Sequence, residues 1–239
     1  MDLTFNDLPM DLVELVDPAY AVSGGLDGDV TLRAKKGSSA TGNISIKAKD
    51  IKLEGEDYEE LPTFENRVTA SLKDGVLAFQ GDVQGLEATS IDISGQLPFD
   101  ISIVDRNILI NESKPVKLEL KVDSDINKIW PLLAMDTQEM KGQLVANATV
   151  EGTISAPIVA GKARLNDGYF EDVEQGTILK NISLNADVPD ADTLKIELSA
   201  ADSQGGKVTS SGTIDFAKLT EPELDLNIAL SNLLAINRD

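Results

Sequence analysis

The chain has 239 residues, with 41 acidic against 21 basic side chains and neither histidine nor cysteine. The net charge of −20 argues against a nucleic-acid partner, and the missing residue types exclude Ser-His-Asp triads, thiol nucleophiles, disulfides and zinc sites made from Cys or His. We therefore expect a protein that is not an enzyme, with no catalytic residues, no cofactor and no metal.

The first predicted element is a short amphipathic helix near the N-terminus. In residues 9–17, Leu12, Leu15 and Val16 recur at helical spacing, and Pro9 suits the first turn of a helix. Alternation of apolar and polar residues then takes over, which predicts antiparallel strands with one apolar face. In the first half of the chain the alternating apolar positions are Val68, Ala70, Leu72, Leu77, Phe79, Ile91, Ile93, Leu118, Leu120 and Val122.

A second short helix is predicted at residues 125–133, where Ile126, Ile129 and Trp130 share one face. Alternating segments follow it to the end of the chain. With Asp-Gly turns at 74–75 and 167–168, the pattern predicts an all-β fold of roughly 15 strands. The alternating apolar residues of the second half are the candidate lining of a groove: Leu144, Ala146, Ala148, Val150, Leu165, Ile182, Leu184, Ala186, Leu194, Ile196, Leu198, Ile214, Leu224, Leu226 and Ile228.

The two halves of the chain match each other at a fixed distance. Leu77 and Leu194, and likewise Gly95 and Gly212, lie 117 positions apart, as do the two predicted helices. Alternation alone does not place glycines and helices at matched positions. We therefore predict two continuous repeats of about 117 residues, at 1–123 and 124–239, each a helix followed by about seven strands.

The apolar face of such a sheet has two possible arrangements. If it is open, a surface of Leu, Ile, Val and Ala with few aromatic residues offers a smooth lining along which flexible acyl chains can slide. If it is closed, two such faces cover each other in a β-sandwich, and the chain is a structural or adhesive extracellular β-repeat array. The alternation is consistent with both arrangements, because each needs one apolar face.

Several short motifs of the second half, in their order and spacing, resemble the TamB family of translocation and assembly module proteins. The first half fits the same register more loosely, since residues 36–42 lack the proline found at the corresponding place in the second half. The resemblance is carried by Gly152-Thr153 with Pro157 and Gly161, by Leu165-Asn166-Asp167-Gly168-Tyr169-Phe170, by Gly176, Leu179 and Ile182, by Gly205-Gly206-Lys207-Val208, and by Gly212-Thr213-Ile214.

This resemblance implies a long antiparallel sheet curled into an open half-pipe with an apolar lining, as in AsmA-like and other bridge-like lipid-transfer proteins. It implies a location in the periplasm of a diderm bacterium, with an inner-membrane anchor in a segment missing from this chain. Two roles follow from it: conducting phospholipid toward the outer membrane, and supporting outer-membrane protein assembly and autotransporter secretion. The implied partners are phospholipid acyl chains and a TamA-like outer-membrane barrel protein, the latter contacted through regions outside this chain.

Overall fold

Strands make up nearly all of the part of the chain that the structure, a computed structural model, describes: residues 1–11, 22–35, 39–53, 63–86, 89–102, 107–130, 137–190, 192–215 and 223–234. The predicted all-β fold is confirmed. The strands are β1 (Asp2–Pro9), β2 (Val22–Arg33), β3 (Thr41–Leu53), β4 (Phe64–Lys73), β5 (Val76–Gln84), β6 (Thr89–Ser102), β7 (Asn107–Ile110), β8 (Lys117–Asp125), β9 (Gln138–Thr153), β10 (Ala156–Asp172), β11 (Thr177–Asp190), β12 (Thr193–Asp202), β13 (Lys207–Asp215) and β14 (Glu223–Ser231).

The chain divides into two compact units, each built on antiparallel strands that follow chain order. The first unit comprises Met1–Leu120 with Val150–Pro157, and its strand order is β1-β2-β3-β4-β5-β6-β8, with β7 paired to β6. The second comprises Lys121–Thr149 with Ile158–Asp239, and its order is β8-β9-β10-β11-β12-β13-β14. Among the described strands, β1 and β14 each have one neighbour, so the sheet stays open rather than closing on itself.

Helix is a minor component of the described chain. Where an amphipathic helix was predicted at 125–133, the structure has a single 3-10 turn, Ile126–Lys128, and residues 131–136 lie outside the described part. The Asp125 side chain caps this turn by accepting a hydrogen bond from the backbone N–H of Asn127 at 3.3 Å. A turn this short is consistent with Pro131, which lacks the N–H that a longer helix would need.

The other predicted helix, at residues 9–17, lies almost entirely outside the described residues. Pro9 does not open a helix as predicted: it ends β1, where it is paired with Gly25. Because β1 is an edge strand in the described sheet, a residue without an N–H can be accommodated there. Met10 and Asp11 after it adopt 3-10 geometry.

Each unit has a small buried cluster on one face of its sheet. In the first unit it consists of Val22, Ala48 and Ile51. In the second it consists of Leu165, Ile182 and Ala200, of which Leu165 is only 1% exposed. Both clusters lie beside irregularities in the strand pairing, where a β-bulge bends the chain.

The two bulges share a backbone feature. In the first unit Gly24 has φ +132° and Asp50 has φ +50°; in the second Gly142 has φ +129° and Asp167 has φ +50°. A Cβ on either glycine would approach a carbonyl oxygen of the adjacent strand to 2.7 or 2.8 Å, so these positions require glycine. The division into repeats at residue 123 remains a prediction.

Candidate functional site

Strand pairing in the second unit brings most of the predicted lining residues together in rows across the sheet. Directly paired residues of an antiparallel sheet project from the same face. One row is Leu165, Leu184 and Leu198, continued by Ser210 and Ile228; the next is Ala186, Ile196, Gly212 and Leu226; a third is Leu194, Ile214 and Leu224.

Strand β9 contributes the remaining predicted residues. Leu144 packs against the buried cluster of this unit, which places it on the same face as the rows. Along β9, Ala146 and Ala148 are half-buried, and they alternate with exposed Val145 and Asn147. Val150 belongs to the first unit, where its side chain is half-buried.

The side chains of this face range from buried to open. Leu165 and Ile182 are buried, so they form core rather than accessible lining. Leu184, Ile196 and Leu198 are half-buried. On β14 the apolar residues are open to solvent, with exposures of 61% for Leu224, 38% for Leu226, 63% for Ile228 and 62% for Leu230.

The 3-10 turn Ile126–Lys128 closes one end of this face. Ile126, Met140 and Phe170 pack against the buried cluster there. Beyond the turn, the indole N–H of Trp130 donates to the backbone carbonyl of Gln138 at 3.1 Å, and the Gln138 amide donates to the buried carboxylate of Asp172 at 3.3 Å. These hydrogen bonds hold the turn against the sheet.

A second buried carboxylate, that of Asp202, fixes the neighbouring hairpin. It accepts backbone N–H bonds from Gln204 at 2.8 Å, Gly206 at 2.7 Å and Leu234 at 2.5 Å. The bond from Leu234 is the main reason that the pKa of Asp202 is lowered from its ordinary value, because N–H donors stabilise the ionised form. The chain following β14 is thereby tied to the β12–β13 hairpin.

The opposite face of the same sheet is polar. Lys162 and Asp187 lie 3.8 Å apart, and Lys195 and Glu197 lie 2.8 Å apart. The hydrogen bond between Lys195 and Glu197 raises the pKa of the lysine and lowers that of the glutamate. Both pairs are exposed, so their contribution to stability is small, and their consequence is a hydrated face opposite the apolar one.

The first unit has an apolar face that the list of candidate residues omitted. Alternation in the sequence had already marked Val68, Phe79 and Ile93 as apolar positions of this half, but glycines interrupt the pattern along the rows. The Phe5 ring covers Gly28 so closely that a Cβ there would lie 2.8 Å from ring atom Cε2. Phe79 lies opposite Gly95 in the same manner. The rows are Gly28, Ile46, Val68, Gly81 and Ile93, and Val30, Ile44, Ala70, Phe79 and Gly95.

Among the residues that the structure describes, each unit thus offers an apolar surface without convergent polar groups. Alternate residues of a strand lie about 7 Å apart, so the four apolar positions from Leu194 to Ala200 extend for about 20 Å along β12. A surface of this kind can hold flexible hydrocarbon in many positions, whereas it has no polar groups arranged to orient one rigid ligand.

In the described ranges no helix has the length and apolar character required to cross a bilayer.

Comparison with known proteins yields one family. Residues 195–239, which include most of β12 and all of β13 and β14, match the family model described as the TamB C-terminal domain. No curated protein and no solved structure shows significant similarity to the chain. The matched strands carry part of the apolar rows described above, and the similarity supports a location in the cell envelope and a broad role in outer-membrane assembly. With the motifs of the second half, this match shows that the C-terminal part of the chain is similar to the TamB C-terminal domain.

Proposed function

We propose that the apolar face conducts phospholipid acyl chains toward the outer membrane, in a non-enzymatic protein of the periplasm. Lipid supplied along this path would support outer-membrane protein assembly and autotransporter secretion together with a TamA-like partner. The observation that carries the proposal is the set of aligned apolar rows on β11–β14, half-buried or exposed, opposite a face that carries ion pairs.

The gradient of exposure supports an acyl-chain surface over a closed core. In a sandwich, the face would be covered along its whole length, as Leu165 is. Here burial is confined to the end with the Ile126 turn, and Ile196 is half-buried while Leu226 is 38% exposed. Within the described residues, no second layer covers these side chains.

The energetics suit transport more than tight binding. Complete removal of a methylene group from water is worth about 0.8 kcal/mol. A hydrocarbon chain resting on a one-sided surface removes only part of its area from water, so each methylene gains less than this. Because similar aliphatic side chains follow one another along the rows, the gain changes little as the chain slides.

Native mass spectrometry tests the proposal directly. We expect the purified protein to carry phospholipid, and we expect Ile196→Arg to reduce the bound fraction severalfold. Ile196 is half-buried at the centre of a row, between Ala186 and Gly212, so an arginine there interrupts the apolar path. Lipid-free wild-type protein after purification from membrane-containing extracts would contradict the proposal.

The matched control is Ser211→Arg. Ser211 lies on the neighbouring strand, but it is exposed on the polar face opposite Glu197. The Ser211→Arg substitution introduces the same side chain and the same charge as Ile196→Arg, but it lies outside the apolar rows. We expect it to retain wild-type lipid binding, and an equal loss in both variants would show that charge rather than the apolar path is responsible.

A further inference from the structure

One part of the polar face in the second unit is basic, although the whole chain carries a net charge of −20. On β10, Lys162 and Arg164 are exposed and project to the face opposite buried Leu165. From Ala156 to Asn166 this strand contains no acidic residue. The two cations therefore lie on a strand segment whose charge is opposite in sign to that of the chain.

Arg164 has no carboxylate partner among the described residues. The other cation of the segment, Lys162, lies 3.8 Å from Asp187. Directly opposite Arg164 on β11 is Asn185, which is exposed and carries no charge. The guanidinium is thus available to a carboxylate from another molecule, and its planar fork of N–H donors suits bidentate binding of that group.

A shallow cavity of about 340 Å³ lies beside Arg164 on this face. Its lining includes Lys162 and Asn185, together with Lys195 and Glu197 of β12, which lie 2.8 Å apart. This volume is at the small end of the range found for ligand pockets. The cavity therefore suits one side chain of a larger partner better than it suits a large cofactor.

Strand β9 adds an apolar group on the other side of Arg164. Gly161 of β10 lies against Ala148 of β9, so counting along the antiparallel pair places Arg164 beside Val145. Val145 is 43% exposed although it projects to the polar face. A carboxylate bound at Arg164 would thus have an apolar surface next to it.

We propose that the surface formed by Val145, Lys162, Arg164 and Asn185, the β10 patch, docks an extended acidic segment of a partner protein. A glutamate or aspartate of that segment binds the Arg164 guanidinium, and a neighbouring apolar residue contacts Val145. The Asn185 amide can donate to and accept from the peptide groups of the segment. Opposite charges on patch and segment also accelerate their encounter.

An anionic membrane surface is the other partner of suitable charge, but it fits the patch less well. Asp187 and Glu197 line the same cavity and would be pressed against anionic headgroups. A peptide segment is narrow and can lie along β10, because Asp187 is on the next strand and Glu197 on the one beyond, about 5 and 10 Å away. The charge distribution therefore favours a peptide.

Fluorescence anisotropy with a defined peptide tests the proposal. The probe is a labelled peptide in which glutamate alternates with leucine, and the control peptide has glutamine at every glutamate. We expect the glutamate peptide to bind about 3- to 20-fold more tightly, from the usual strength of two exposed charge pairs. Added salt should reduce this difference. The glutamine peptide measures any binding through leucine alone.

Arg164→Gln should weaken binding of the glutamate peptide about 2- to 5-fold, with an unchanged circular dichroism spectrum because the side chain is exposed. The matched control is Lys180→Gln, which removes one positive charge from an exposed position on β11, about 17 Å along the strand from Asn185. We expect this control to bind the peptide as the wild type does.

Three outcomes would overturn the proposal. Equal affinity for the glutamate and glutamine peptides would show that the patch does not recognise carboxylates. Equal weakening by Arg164→Gln and Lys180→Gln would show that net charge, rather than the patch, attracts the peptide. Binding of phosphatidylglycerol vesicles that is lost in Arg164→Gln, without binding of the peptide, would assign the patch to a membrane surface instead.

Discussion

At the scale of single residues, buried carboxylates anchor the hairpins at the closed end of the second unit. Asp202 accepts three backbone N–H bonds, and Asp172 accepts from the backbone N–H of Gln175 at 2.8 Å and from the Gln138 amide. Each is 5% exposed or less. The Asp202 carboxylate stabilises the fold in its ionised form, because its partners are all N–H donors that lower its pKa.

Asp202→Asn should therefore destabilise the protein at neutral pH. The lowered pKa means that the carboxylate contributes stability above its unfolded-state pKa, near 3.8, and that this contribution is lost as the pH falls through the lower pKa of the folded state. Urea unfolding at pH 7 should show a clear loss for the variant relative to wild type, and the difference should shrink as the pH falls below 4. Asp225→Asn, at an exposed carboxylate on β14, should have little effect at either pH.

Glycines on the apolar face permit close approach of adjacent strands. A Cβ at Gly212 would overlap the carbonyl oxygen of Asp225 on β14, whereas a Cβ at Gly81 would lie 3.3 Å from the carbonyl oxygen of Arg67. We expect Gly212→Ala to lower the free energy of unfolding by about 3 kcal/mol, at the upper end of overpacking effects, and Gly81→Ala by about 1 kcal/mol or less. Denaturant unfolding of the two variants measures the difference. Equal losses would contradict the inference that β13 and β14 approach unusually closely.

At the scale of strands, alternation identified most of the architecture. It grouped Leu184, Ile196 and Leu226 on one apolar face, because a period of two is a direct consequence of strand geometry, and their role as a lining stays a prediction. It could not show that Leu184 pairs with Leu198, since register depends on turns and bulges such as the one between Leu165 and Gly168. For the same reason it could not distinguish buried Leu165 from half-buried Ile196.

Helix prediction was less successful than strand prediction for a physical reason. Ile126 and Trp130 do have helical spacing, but the described segment needs only one capped turn to place Ile126 on the core cluster. Tertiary packing therefore determined the length of this element. The buried carboxylates were missed altogether, because an aspartate in a hairpin has the same sequence signal whether it is buried or exposed.

Two arginine substitutions separate an open face from a closed core. Ile196→Arg should cost only about 1–2 kcal/mol of unfolding free energy, because the long side chain can extend along the half-covered face and keep its guanidinium hydrated. Leu165→Arg should cost roughly 4–5 kcal/mol or more, because Leu165 is 1% exposed and the charge would be buried without a partner. Urea denaturation monitored by circular dichroism measures both. Unfolding of both variants would favour a closed sandwich.

Ile196 is a better position for this comparison than Leu184 or Leu198. Both leucines pack against the buried cluster, so arginine at either would combine the loss of core packing with interruption of the face. Ile196 lies in the adjacent row, between a small alanine and a glycine. The loss of stability in Ile196→Arg therefore measures mainly the cost of placing a charge on the apolar face, without a loss of core packing.

At the scale of the whole molecule, each of the two units has antiparallel strands in chain order, with apolar rows on one face and ionic or polar side chains on the other. This organisation was predictable from composition and alternation, and the similarity to the TamB family was predictable from the order of short glycine-containing motifs. The direction and degree of burial along each face were not predictable. The degree of burial depends on where a turn such as Ile126–Lys128 covers the end of the sheet, and on which strand has a neighbour on one side only.

The most direct test of an acyl-chain surface is photo-cross-linking along β12. A photoreactive amino acid placed in turn at Leu194, Lys195, Ile196, Glu197 and Leu198 samples both faces of one strand at neighbouring positions. We predict that phospholipid is captured at Leu194, Ile196 and Leu198 and not at Lys195 or Glu197. Since Lys195 and Glu197 are the more exposed residues, non-specific labelling would favour them. Equal capture at all five positions, or stronger capture on the charged face, would contradict the account.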